Sequence, residues 1–427
     1  MANLGLLIGA AALGSVTALA AVIRSALEPS FQSGLASARI AAYASRPEAE
    51  SLVRRMLARR PSNPEGLWLL GSIYSERDDP FGAVACFRKV AGSELCVGKA
   101  RIAEGDYLLR FGDALAAEIA WTSAEQFPVL RPEVEKRLLL LYSYQMRRSE
   151  WAEIIWRRVL LRRAGFRDLI QLMLAEHIDW HGDGVVETLE RYVSVNPGDR
   201  ISRSSLVHHL LVAGNIDEAK VHVRYLLDGD SSTPEEAFAI MDYAVADADP
   251  GVVESFLARS GKQVKGEILQ SSMWLRGLGE LELQRSALQK ATSLLLASAR
   301  KSPFHPTCRQ QLSVALRLQG RYEEAAMHAA AAATLAHIEG RCFALRNADK
   351  NEAVEEIYGL VKEAASIGMI GEAKAWVRFV TIDRPKDSRW KRFADRLSAV
   401  GETSRLNPPA SFLDPRQELL HWSDEST

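Results

Sequence analysis

A small or β-branched residue returns at an interval of about 34 positions through most of this chain. Ala49, Ala83 and Ala117 are 34 apart; Ala152, Val185, Ala219, Val253, Ala291 and Ala325 follow at steps of 33 to 38, and Ala373 comes after 48. A sustained period in the thirties is the mark of stacked two-helix units, each unable to bury its apolar face alone. The 427 residues, long enough for several globular domains, therefore read as one array with contacts between neighbouring units.

Within the unit PSNPEGLWLLGSIYSERDDPFGAVACFRKV, Leu67, Leu70 and Tyr74 recur at three- and four-residue steps, as one face of a helix requires. Gly71 among them leaves room for a second helix, whose matching face is Ala83, Phe87 and Val90. Pro61, Pro128, Pro197, Pro303 and Pro385 lie about 12 positions after a mark, where a helix must stop.

The trio Leu70, Gly71, Tyr74 followed by Ala83 and Phe87 resembles the tetratricopeptide repeat. Weaker copies are Leu206, Gly214 and Ala219; Gly320, Tyr322 and Ala325; and Gly368, Ala373 and Pro385. The resemblance implies an all-α, right-handed α-solenoid of nine or ten helix-turn-helix repeats over residues 25–386. Residues 387–400 are expected to form a capping helix and the Pro-containing segment 401–427 a disordered tail. The step to Ala373 is 14 residues too long, and AAMHAAAAATLAHI predicts an extended helix broken around Glu339 and Gly340.

Residues 1–24 carry the second informative feature. From Leu4 to Ile23 there are 20 uncharged residues: nine Leu, Ile or Val, six Ala, three Gly, a Ser and a Thr. As a helix, at ~1.5 Å per residue, such a run spans about 30 Å, the thickness of a hydrocarbon core. It reads as one transmembrane anchor preceding the solenoid. A signal peptide cleaved after Ala18-Leu19-Ala20 is the alternative, although no Lys or Arg precedes the apolar run. Arg24 and Arg39 follow it, so the positive-inside rule puts the solenoid in the cytoplasm, with the periplasm as the alternative. Cys86, Cys96, Cys308 and Cys342 are far from metal or redox spacing and read as apolar fillers.

A formal net charge of −1 offers no molecule-wide field for nucleic acid. One basic concentration stands out: Arg147, Arg148, Arg157, Arg158, Arg162, Arg163 and Arg167, beside Trp151 and Trp156. It reads as a solvated outer helix face over buried Trp residues, or as a patch for acidic lipids or an acidic partner. His177 and His181 are four apart, yet no third ligand is identifiable, and neither a phosphate-binding loop nor a nucleophile elbow is present. No catalysis, metal or other cofactor is expected.

The tetratricopeptide resemblance implies a concave groove lined by positions two, five, nine and twelve of each first helix. Here these include Trp68, Lys99, Asp106, Arg137, Tyr144, His177, Ser204, His208, Phe238, Asp242, Arg276, Glu280, Gln310 and Arg317. Aromatic, cationic and amide groups in that mixture suit an extended protein or peptide partner. The expected function is thus a membrane-anchored scaffold, held in the bilayer by residues 4–23, with no nucleic-acid partner and no signal for an oligomer. The alternative is an exported protein serving envelope or secretion assembly after signal cleavage.

Overall fold

The structure, a computed structural model, describes residues 32–399 apart from 45, 93, 175–183, 229–232, 261–265, 347 and 349–352. The expected anchor at 4–23, the tail and the His177/His181 pair all lie outside the described residues. Among the described residues there is helix and turn but no strand. None of the described helices is long and apolar enough to cross a membrane. The chain divides into two compact units, one ending at Leu138 and one beginning at Leu139.

The first unit holds α1 (32–43), α2 (Ala49–Arg59), α3 (Pro64–Glu76), α4 (Pro80–Arg88), α5 (Glu94–Phe111), α6 (Ala114–Ala124) and the start of α7 (Arg131–Tyr144). Side chains of Asn63, Asp79 and Asp113 accept from the backbone N–H of Gly66, Gly82 and Ala116, satisfying first-turn donors that a helix leaves open. Pro64 and Pro80 occupy first-turn positions, where no N–H is missed. Gly71 is the close-approach site: a Cβ there would meet the Phe87 ring at 2.6 Å, and one at Gly105 would meet Trp121. The two pairs share one register, so the same small-against-large packing joins α3 to α4 and α5 to α6.

The second unit continues with α8 (Arg148–Leu160), α9 (Phe166–Leu174), α10 (Val185–Val195), α11 (Arg200–Val212), α12 (Ile216–Leu227), α13 (Pro234–Ala246), α14 (Pro250–Ser260) and the short α15 (Gly266–Leu269). It ends with α16 (Ser272–Gln284), α17 (Leu288–Lys301), α18 (Pro306–Leu318), α19 (Tyr322–Leu345), α20 (Val354–Ser366), α21 (Ile370–Asp383) and α22 (Ser388–Ala399). A Cβ at Gly279 would meet Leu295 at 2.7 Å, which repeats between α16 and α17 the close approach seen in the first unit. The marks of the 34-residue period fall in α2, α4, α6, α8, α10, α12, α14, α17, α19 and α21, each at most 8% exposed. The helices thus follow a tetratricopeptide-like register in both units. In α22, Trp390, Phe393 and Leu397 are buried, with Tyr358 of α20 edge-on to Trp390.

Two expectations require correction. The helix expected to break at Glu339-Gly340 does not: α19 runs unbroken from Tyr322 to Leu345. A glycine inside a helix costs only about 1 kcal/mol, and the buried stripe Leu335, Ile338, Cys342 and Leu345 holds the helix on both sides of it.

Contacts in the second unit are also not confined to neighbours along the chain. Helix α9 packs against α19 and α21. Trp376 on α21, fully buried, donates from its indole Nε1 to Met173 Sδ at 2.9 Å and meets the edge of Phe166 at 5.5 Å between centroids. Trp156 on α8 lies over Gly371, where a Cβ would come within 3.2 Å of its ring. The second unit therefore closes on itself through side chains about two hundred residues apart, which a one-dimensional array would not do.

The same arginine–histidine contact occurs twice in this unit, part-buried in one copy and buried in the other. Arg203 donates to Pro197 O and lies 3.1 Å from His222 Nδ1; Arg309 donates to Pro303 O and lies 3.1 Å from His328 Nδ1. The guanidinium can only donate, so each imidazole must accept through Nδ1 and be neutral. Burial, and then the Arg309 charge, push the His328 pKa down to about 4, and burial followed by the Arg203 charge lowers that of His222. A depressed histidine pKa contributes stability that is complete above about 6.5 and is lost as pH falls towards 4. Lowering pH from 7.5 to 5 should cost about 2 kcal/mol through His328. Denaturant titrations at the two pH values should show that loss, and His328→Gln should show less of it. A pH-independent midpoint for the wild-type chain would contradict the assignment.

Candidate functional site

In the first unit the expected groove residues separate into two groups. Trp68 is half-buried and tilted against Phe87 at 5.6 Å, so its ring contributes to packing between α3 and its neighbours. Lys99 is exposed on α5. Asp106 and Arg137 come together in a two-bond ion pair, Nε–Oδ1 2.5 Å and Nη2–Oδ2 2.7 Å, while Asp106 also accepts from Trp121 Nε1 at 3.0 Å. Both charges are thereby committed to joining α5 to α7.

The second unit brings its residues together more tightly. His208 on α11 and Asp242 on α13 are 34 residues apart and hydrogen bonded, Nδ1–Oδ2 2.9 Å. Arg276 on α16, another 34 on, places Nη2 at 4.0 Å from Asp242 Oδ1 and Nη1 at 3.9 Å from Glu280. Equivalent positions of three successive repeats thus form one polar ladder. A carboxylate can only accept, so His208 donates from Nδ1. Burial works against the charged form of Asp242, but the His208 hydrogen bond and the nearby His208, Arg276 and Arg148 charges outweigh it and hold the carboxyl below its usual range.

The ladder borders a cavity of about 440 Å³. His208, Phe238 and Asp242 line it together with Gln145, Arg148 and Met273. The helix starts are fixed by local chemistry. Thr233 Oγ1 accepts from Glu236 N at the start of α13, and Asp199 accepts from the backbone and hydroxyl of Ser202 at the start of α11. Arg200 then ties the two starts together, binding Glu236 through Nε and Nη2 at 2.8 Å each and also Leu226 O at 2.7 Å. Glu236 is fully buried.

Gln145 stands out. It is 2% exposed, and its Nε2 donates to Ser202 Oγ at 3.0 Å. Because the Ser202 proton goes to Asp199 at 2.6 Å, Ser202 must accept from Gln145, which fixes the amide orientation. Gln145 Oε1 is left buried without a hydrogen-bond partner, a costly state for a carbonyl oxygen. Met146 beside it has a left-handed backbone, φ 53°, a conformation unfavourable for a side chain of this kind.

Of the remaining expected residues, Tyr144 is half-buried near the end of α7, Arg317 and Gln310 are exposed on α18, and Ser204 lines the cavity while donating to Arg200 O. Sequence reasoning missed Gln145, Met146 and Met273, which lie off the four groove positions. Within the arginine cluster, Arg148 lines the cavity and Arg158 is ion-paired with Asp168 at 2.9 Å. Cys86, Cys308 and Cys342 are buried, and burial pushes the Cys342 thiol up to about 12; Cys96 is exposed. Among the described residues no cluster of three His, Cys, Asp or Glu side chains could hold a metal ion.

No protein-family model matches this chain, and no curated protein matches it. Among solved structures it is similar to the APC/C hetero-tetramer Cut9-Hcn1, at 10% identity and a TM-score of 0.37, covering 87% of this chain and 91% of that one. It is also similar to a monomeric mutant of IFIT1 with Gppp-AAAA, at 12% identity and a TM-score of 0.34, covering 86% and 93%. At these scores neither likeness defines a shared fold.

Proposed function

We propose that this chain is a non-catalytic scaffold that captures an extended segment of a protein partner in the cavity between α11, α13 and the end of α7. The polar lining of the cavity carries the reading: Gln145, Arg148, His208 and Asp242 border it together, a mixture suited to the backbone and side chains of an extended peptide. Phe238 and Met273 offer apolar surface for a neighbouring side chain, and the His208–Asp242–Arg276 ladder holds the floor rigid. The mixed charges of the cavity and the net charge of −1 favour protein over nucleic acid. Residues 4–23 would tether the scaffold to a membrane, with the repeats on the cytoplasmic side. Removing residues 1–24 should then release the chain from membranes after a high-salt wash.

Gln145→Leu with Phe238→Ala should weaken partner capture at least about tenfold, equivalent to ~1.4 kcal/mol. Arg317→Ala, on an exposed position of α18, should leave capture unchanged. Quantitative capture from detergent-extracted membranes, with the melting temperature as a folding control, reads both. Undiminished capture by the double variant would remove the cavity from the account.

A further inference from the structure

The far end of the arginine cluster lies where the second unit closes. There α8 ends, α9 begins and α21 crosses, around a pocket of about 160 Å³ lined by Val159, Leu169, Phe379 and Ile382, with Arg162, Arg378 and Asp383 at its walls. The turn after α8 is fixed by backbone bonds from Arg163 and Ala164 to Arg158 O, with Arg162 in a left-handed conformation at φ 55°. Leu160 and Leu161, between the lining residues Val159 and Arg162, are 71% and 48% exposed, and Ile382 from α21 is 59% exposed. Arg162, Arg163, Arg167 and Arg378 are all exposed, and none makes an ion pair among the described residues. Among the described residues, Asp383 is the only acid at the pocket wall.

Unpaired arginines would suit any polyanion, but the three exposed aliphatic side chains among them call for hydrocarbon as well. Shallow insertion of leucines with cations at the head-group level is how peripheral surfaces bind acidic bilayers. We propose that this seam is a docking surface for an anionic lipid bilayer. It owes nothing to residues 4–23, and it is separate from the partner cavity.

The full chain can be tested on vesicles of phosphatidylcholine alone and with about 30 mol% phosphatidylserine, since any contribution from the apolar N-terminal run is common to both compositions. Binding to the anionic vesicles should exceed binding to the neutral ones about tenfold at 0.1 M salt, and the difference should vanish near 1 M. Arg162→Glu with Arg378→Glu should abolish the preference. Leu160→Ser with Leu161→Ser should reduce anionic binding several-fold while leaving helicity unchanged. Equal binding to both compositions would overturn the proposal. So would a charge-reversed variant that keeps its preference, or binding to polyglutamate with no preference between vesicles, which would make the seam an acidic-peptide surface.

Discussion

Replacing Trp376 by Ala is expected to destabilise the chain by about 3–5 kcal/mol, among the largest effects of any single substitution here. The residue is fully buried, contacts Met173 and Phe166 from a distant part of the sequence, and meets Phe379 edge-on at 6.2 Å. Part of that loss would follow from emptying any core position. The closure makes a sharper statement about Met173→Ala and Trp376→Ala combined: side chains in contact couple by about 0.5–3 kcal/mol in a double-mutant cycle, whereas independent sites add. Equilibrium denaturation of the two single variants and the double variant gives the coupling, and strict additivity would mean that α9 does not pack on α21.

Arg200→Ala should cost a similar amount, about 3–5 kcal/mol, because it leaves Glu236 buried without its partner. Arg200→Met with Glu236→Leu should recover most of the loss, since removing both charges also removes the desolvation that neither can bear alone. The pair joins the starts of α11 and α13, the helices that carry His208 and Asp242. Loss of Arg200 should therefore weaken the cavity as well as the fold. A single variant as stable as the wild type would show that water reaches Glu236.

The sequence pattern and the structure agree where one residue type has one packing reason to be where it is. Ala83, Ala117, Ala219 and Ala291 are fully buried because a second helix must come close at each mark, and that requirement repeats with the chain. Gly71 against Phe87 was legible for the same reason. His208, Asp242 and Arg276 fall on one line because equal positions in successive repeats become neighbours.

What escaped was aperiodic. The contact of Trp376 with Met173 spans 203 residues and leaves no spacing to detect. Gln145 lies at the end of a helix, outside the groove register, and its role depends on a proton arrangement running through Ser202 to Asp199. The packing of Trp68 against the Phe87 ring of α4 was not legible either, because a repeat position does not reveal the ring beside it. The unbroken α19 was missed because a single Gly340 looks like a stop until the buried residues on both sides are counted.

The most direct test of the scaffold reading is photocrosslinking from a photoreactive phenylalanine analogue placed in the full chain at Phe238, inside the cavity, or at Phe81, which is 83% exposed in the first unit. The account predicts crosslinks from position 238 to a defined segment of a protein partner, lost when Gln145 is changed to Leu, and none to that segment from position 81. Crosslinks to the partner from position 81 alone, or crosslinks from 238 that persist unchanged in the Gln145→Leu background, would contradict it.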